Sequence, residues 1–190
     1  MKKMKQRLCY FFGLTMLLFA GACTTTTEGP FWEYKIDAIH IYIKADDKLN
    51  IDPTNQYNQE PHTLYACVYQ LRSPNSFNLV SQYNDNLYEL LGEPCRLNDE
   101  TVAISKGLTV RPGQQMMFTL DRAEGAKYLG IVAGYTNLNK EGCVRLFPIP
   151  TERHRKGWFK VKEIISPAAL DLDILFGPTQ ILKAGVKNAQ

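Results

Sequence analysis

The sequence predicts an all-β fold, an antiparallel two-sheet sandwich with a small helical insertion, and three observations predict it. Short segments rich in β-forming residues recur at spacings near ten, among them "IDAIHIYIK" (36–44), "TLYACVYQL" (63–71) and "ALDLDILF" (169–176). Turn residues such as "RPGQ" (111–114) punctuate them. Only one stretch, where Phe77, Val80, Tyr83, Leu87, Leu90 and Leu91 recur at steps of three and four, carries a helical period.

The elements follow in chain order. Residues 1–7, "MKKMKQR", are basic, and 8–22 are apolar apart from Thr15, the layout of a secretory signal peptide over 1–22. The apolar run falls short of the roughly 20 residues that a spanning helix needs. "FAGAC" resembles a bacterial lipobox, with Ala20 where that pattern prefers Leu, and makes Cys23 the lipidated first residue of the mature chain. Thr24, in place of the aspartate that retains such lipoproteins at the inner membrane, reads as an outer-membrane anchor facing the periplasm. Residues 23–35 form a lipidated tether, and 36–190 form the sandwich domain.

Ile39, Ile41 and Ile43 alternate with Ala38, His40 and Tyr42 in a first strand. The polar segment 45–61, with only Leu49, Ile51 and Tyr57 as large apolar residues, is too long for a hairpin turn and is a candidate contact surface. A nearly continuous apolar strand follows over 63–71. The helical stripe then starts at Asn75 or Ser76, ends at Gly92 and is broken by "NDN" (84–86). Two strands flank the "RPGQ" turn, with Met116, Phe118 and Leu120 on one face. Residues 127–138 are apolar on both faces, as a central strand is, and 143–150 end in Pro148 and Pro150, which suits an edge. Strands over 158–165 and 169–176 complete the set, the last with Asp171 and Asp173 on its solvated face.

Charge narrows the partners. The full chain carries +3, and loss of 1–22 removes four bases and no acids, leaving −1. Without a surplus of Lys and Arg, nucleic acid is excluded as a partner. Cys9 leaves with the signal and Cys23 is acylated, so Cys67, Cys95 and Cys143 remain, with three possible pairings. Cys67 sits in an apolar strand as a buried thiol, and the reading pairs Cys95 with Cys143. No "CxxC", "HExxH", "GxSxG" or phosphate-cradling glycine loop occurs, and His40, His62 and His154 have no second ligand at motif spacing. The chain is therefore read as no enzyme, with no metal and no cofactor.

In order, "YACVYQLRS", "SFNLVSQYNDNLYELLG", "TVRPGQQ", "YLGIVAGYTNL" and "VRLFPIP" resemble the type VI secretion lipoproteins of the TssJ (VasD-like) family, over roughly 36–150. The matching positions are Tyr69, Gln70, Leu71, Phe77, Leu91, Gly92, Pro112, Gly113, Ala133, Gly134 and Tyr135. The resemblance implies a transthyretin-like sandwich on the periplasmic face of the outer membrane. It implies binding to the periplasmic C-terminal region of the inner-membrane protein TssM through the loop between the first two strands. Here that loop is 44–61, with Leu49, Asn50, Ile51, Asp52 and Tyr57 as contact residues. The family often has tryptophan before the arginine of its later strand, where this chain has Cys143 near Arg145, and 151–190 match it poorly. The alternative function is a transthyretin-like periplasmic carrier of a small ligand, which requires a concave apolar pocket.

Overall fold

A computed structural model gives the architecture and describes residues 26–55, 57, 59–156 and 162–187. The expected signal segment, Cys23 and residues 157–161 lie outside the described residues. In chain order the elements are β1 (Thr26–Glu28), β2 (Lys35–Ala45), β3 (Leu64–Leu71), α1 (Asn75–Val80), α2 (Asn84–Leu90), β4 (Val102–Val110), β5 (Gln115–Arg122), β6 (Tyr128–Ala133), α3 (Lys140–Cys143), β7 (Val144–Pro148), β8 (Thr151–Lys156), β9 (Lys162–Pro167), β10 (Leu170–Phe176) and β11 (Ile181–Val186).

The chain divides into two compact units, one of 30–152 with 166–190 and one of 1–29 with 153–165. The larger holds the sandwich: a sheet in the order β11-β10-β2-β5 and a second in the order β4-β3-β6-β7. A three-stranded sheet in the order β1-β9-β8 centres on the smaller unit, with Thr26 opposite Lys162 in a parallel β1–β9 pair.

The expected sandwich is present with one departure. β2 and β10 run parallel, Ile39 opposite Leu170 and Ile43 opposite Ile174, where an antiparallel arrangement was predicted throughout. Parallel neighbours need a long crossover, and here most of the chain separates them. Local patterning specifies which face of β10 is buried and leaves its direction open. Leu170, Leu172, Ile174 and Phe176 are buried and interleave with the buried Ile39, Ile41 and Ile43, so this late segment, for which the sequence suggested no role, supplies a central strand.

The central strands of the second sheet, β3 and β6, are buried on both faces, for two different reasons. From β3, Gln70 reaches across to the other sheet: its Nε2 donates to Asp121 O at 2.7 Å, and its Oε1 accepts from Ala123 N at 2.7 Å. The alternate residues of β3 meet the helical insertion. Tyr69 packs its ring 5.6 Å from that of Phe77 and donates its hydroxyl to Leu90 O. Gly130, beside Tyr69 on β6, leaves room for Phe77, whose ring atoms lie 2.7 Å from where a Cβ would sit. The "NDN" segment opens α2 instead of merely interrupting a helix, and the break falls at 81–83.

This two-sided burial corrects the disulfide. Cys67 shares the insertion-facing parity of Tyr65 and Tyr69 and is bonded to Cys95, which follows α2, with Cα atoms 5.6 Å apart. Cys143, expected to pair with Cys95, is a free and buried thiol, and burial raises its pKa.

Candidate partner-binding site

β2 leads straight into the loop singled out by its composition, and the loop's two halves differ in character. Its base is built into the sandwich. Asp46 N donates to Phe176 O at 2.8 Å, and Asp46 O accepts from Gly113 N at 3.1 Å. Gly113 has φ +68° and would place a Cβ 2.6 Å from Asp47 Oδ1, so the "RPGQ" turn can seat against the loop only with glycine there. Leu49 is wholly buried in the core. Asn50 is buried with φ +53°, a left-handed conformation that asparagine tolerates better than most residues. Its Nδ2 donates to Thr63 O at 3.1 Å, and its Oδ1 accepts from Thr136 N at 2.9 Å and Thr136 Oγ1 at 3.2 Å. His62 N donates to Leu49 O at 2.9 Å, and Ile51 N donates to Pro178 O at 3.0 Å.

The other half presents itself to solvent. Asp52 Oδ1 accepts from Thr54 N at 2.9 Å and Thr54 Oγ1 at 2.6 Å, bonds that hold its carboxyl below the usual carboxylate range. Tyr57 N donates to Asn55 Oδ1 at 3.2 Å, and the Tyr57 side chain is fully exposed at 101%.

Of the five predicted contact residues, Leu49 and Asn50 therefore act as anchors of the loop. Ile51 and Asp52 are half-buried at its shoulder, and Tyr57 stands at its tip. Sequence reasoning missed Gly113, Thr136 and Pro178, which hold the base from three other connections. The turn motif around Gly113 was visible, but the contact of Asn50 with Thr136 spans 86 residues and leaves no local signal.

His40 Nδ1 lies 2.8 Å from Asp171 Oδ1, neighbours that the β2–β10 register dictates. Among the described residues no group of three His, Cys, Asp or Glu converges as metal ligands. A groove of about 550 Å3 opens between the edges of β4 and β5, with Lys106 and Asp121 as well as Ile104 in its lining. Arg145 bridges β7 to β11, its Nη2 donating to Ile181 O at 2.8 Å. Among the described residues, no helix is long and apolar enough to cross a membrane.

A family model described as type VI secretion lipoprotein, VasD, EvfM, TssJ, matches residues 37–173. Among solved structures, the type VI lipoprotein TssJ1 from Pseudomonas aeruginosa is 19% identical with TM-score 0.55, over 83% of this chain and 98% of that one. Serratia marcescens Lip, a membrane bound component of the type VI secretion system, is 19% identical with TM-score 0.54, over 80% and 98%. A chain of a type VI membrane complex is 15% identical with TM-score 0.52, over 77% and 97%. No curated protein sequence matches this one. At these identities the solved structures establish the sandwich fold. The family match runs from β2 into β10, through the loop, its anchors and the helical insertion, and on that extent the chain belongs to the type VI secretion lipoprotein (TssJ/VasD) family.

Proposed function

We propose that the protein anchors a type VI secretion membrane complex to the outer membrane. In this reading acyl chains on Cys23 hold it on the periplasmic face, and the tip of the 46–62 loop grips the periplasmic C-terminal region of a TssM-like inner-membrane protein. The observation that carries the reading is the division of the loop into a fixed base and a presented tip. Leu49 and Asn50 are buried and bonded, while Tyr57 is fully exposed. A loop whose base is fixed before binding loses less conformational entropy when it binds. An exposed tyrosine amid Asn, Asp and Thr has the composition of an interface anchor within a polar rim. The likeness to a chain of a type VI membrane complex supports the same assignment at the level of fold.

The mechanism is tethering. Two or three acyl chains, each contributing about 0.8 kcal/mol per buried methylene, confine the domain to the bilayer surface. Its partner then meets the loop at a raised effective concentration. The family is one of secretion lipoproteins, and its contribution here is attachment, not turnover.

Titration of a purified TssM-like periplasmic domain tests the loop. Tyr57→Ala is expected to weaken binding by about 2 kcal/mol, about thirtyfold in Kd, with the melting temperature unchanged because Tyr57 touches nothing in the core. Unaltered binding, both for Tyr57→Ala and for a Gly-Ser replacement of 53–60, refutes the loop assignment. Cys23→Ala tests the anchor: the variant should leave the membrane fraction and remain folded.

A further inference from the structure

Exposed apolar side chains collect at the end of the sandwich opposite the loop. Phe31 is 79% exposed, Ile36 63%, Tyr34 56% and Ile104 54%. They belong to one neighbourhood. Tyr34 and Ile104 line the same groove. Residues 32–37 are fastened along 121–125 by four separate contacts. Gly125 N donates to Trp32 O at 2.7 Å, and Arg122 Nη2 donates to Glu33 O at 3.1 Å. The Tyr34 hydroxyl donates to Asp121 Oδ2, and Asp37 N donates to Asp121 Oδ1 at 3.0 Å. Trp32 packs partly into the core. The backbone that presents Phe31, Tyr34 and Ile36 is thus held in place, and their exposure is not that of a free tail.

Chain length says what covers this patch. Phe31 is eight residues from Cys23, and eight residues reach at most about 29 Å however they run. A lipid on Cys23 therefore keeps the patch within that distance of the bilayer. The remaining exposed apolar residues, such as Tyr88 on α2 and Leu182 on β11, have no comparable connection. The eleven residues of β2 separate the patch from the 46–62 loop by about 30 Å of strand. Aromatic and aliphatic side chains, with Tyr34 carrying one polar end, suit a headgroup boundary, and because Glu33, Asp37 and Glu124 stand beside Lys35 and Lys106, apolar contact and not net charge carries the seating.

We infer that Phe31, Tyr34, Ile36 and Ile104 form a membrane-seating surface that inserts among lipid headgroups and stands the domain upright, with the partner-binding loop turned away from the bilayer. This rests on the acyl-anchor reading above. A second, protein-borne contact beside the acyl chains fixes an orientation that flexible chains alone leave free.

The test uses the full lipidated chain reconstituted into phosphatidylethanolamine–phosphatidylglycerol vesicles carrying brominated acyl chains, which quench nearby tryptophan. Phe31→Trp and Tyr57→Trp place reporters at the two ends, read as differences from the unsubstituted chain with its native Trp32 and Trp158. Ile104→Trp repeats the reading from a second strand. Vesicle flotation is scored on the same samples. The expected result is flotation of every variant, with the reporters at 31 and 104 losing most of their emission and shifting to the blue while the reporter at 57 is unchanged. Flotation without quenching at 31 and 104 overturns the seating surface and leaves the anchor standing. Equal quenching at all three positions overturns the upright orientation, and so the inference. Failure to float removes the anchor and the seating surface together. Unquenched reporters, with a dimer that Phe31→Ser/Ile36→Ser converts to monomer, overturn the inference by assigning the patch to a second copy of the chain.

Discussion

Asn50 offers the sharpest test of how the loop is held, because two substitutions separate its two roles. Asn50→Gly keeps access to the left-handed conformation at φ +53° and removes the side-chain hydrogen bonds to Thr63 O and Thr136 N. A hydrogen bond of this kind contributes about 1 kcal/mol net. Thr63 and Thr136 are themselves exposed, so water replaces the lost partners and no buried group is stranded. The expected loss is about 2 kcal/mol, plus about 0.5 kcal/mol for the added freedom of glycine in the unfolded chain. Asn50→Ala removes the same bonds and places a Cβ in a conformation that costs about 1 to 2 kcal/mol for an ordinary L-residue. Its expected loss is about 3 to 4 kcal/mol, or about 10 °C in Tm for a chain of this size. Urea unfolding measures both, and an unchanged m-value shows that the native state stays compact. An alanine variant as stable as the glycine variant refutes the conformational argument. A loss under about 1 kcal/mol for both refutes the claim that this side chain pins the loop. Partner binding should fall with the first of these losses, since a released base leaves the tip to be ordered on contact.

The disulfide closes 28 residues, and chain-entropy arithmetic gives about 3 to 4 kcal/mol for a loop of that length. Cys67→Ala/Cys95→Ala should lose close to that amount in denaturant unfolding, while Cys143→Ala changes it far less; a comparable loss for Cys143→Ala, with Cys67→Ala alone changing little, would restore the Cys95–Cys143 pairing. A thiol reagent at pH 8 should leave the native mature domain unlabelled and modify one cysteine, Cys143, after unfolding without reductant, because that thiol is buried and its pKa is raised by burial. Asp121 supplies the pH test. Its bond from the Tyr34 hydroxyl, then that from Asp37 N, hold its carboxyl below the usual range. A group whose folded pKa is depressed stabilises the fold above its unfolded pKa and loses that contribution as pH falls through the folded value. The midpoint gap between the parent chain and Asp121→Asn should therefore be present at neutral pH and close in acid. A gap that persists unchanged below the carboxylate range would show that the charge is not what matters.

How much of this was legible in the sequence depends on whether the deciding interaction was local. The alternation of Ile39, Ile41 and Ile43 specified both β2 and its buried face, because a two-residue period is a property of the strand itself. The 45–61 loop announced itself by composition, but the split between its base and tip did not, since the base is held by bonds of Asn50 with Thr136 and of Ile51 with Pro178, far along the chain. The segment over 127–138 read as one long strand, yet β6 stops at Ala133, where a Cβ on Gly134 would come within 2.9 Å of Tyr65 O. The parallel β2–β10 pairing had no local signature. The disulfide was within reach. A strand apolar on both faces needs a cover on each, and the helical stripe at 77–91 was the available cover for the second face. Cys67, two residues from Tyr69 and on the same side, then points toward that insertion and toward Cys95 at its end.

The same division between local and distant interactions bears on how the molecule transmits load. β2 is the element common to both ends: the pinned segment 32–37 runs into it, and the anchored base of the 46–62 loop follows directly from it. Its neighbours in the sheet are β10, parallel, and β5, antiparallel, so a pull along β2 loads ladder hydrogen bonds on both sides in shear. Shear requires many bonds to fail together, whereas peeling an edge strand breaks them one at a time. An edge position for β2 would join a membrane attachment to a partner by the weaker arrangement. The late chain segment 170–176, which pairs with β2 along its whole length, is what removes β2 from the edge. The sequence alone set 151–190 outside the family resemblance, but the family match continues to residue 173, into this strand, and pairing with β2 gives that late segment a physical task within a lipoprotein whose proposed work is to hold two membranes' components together.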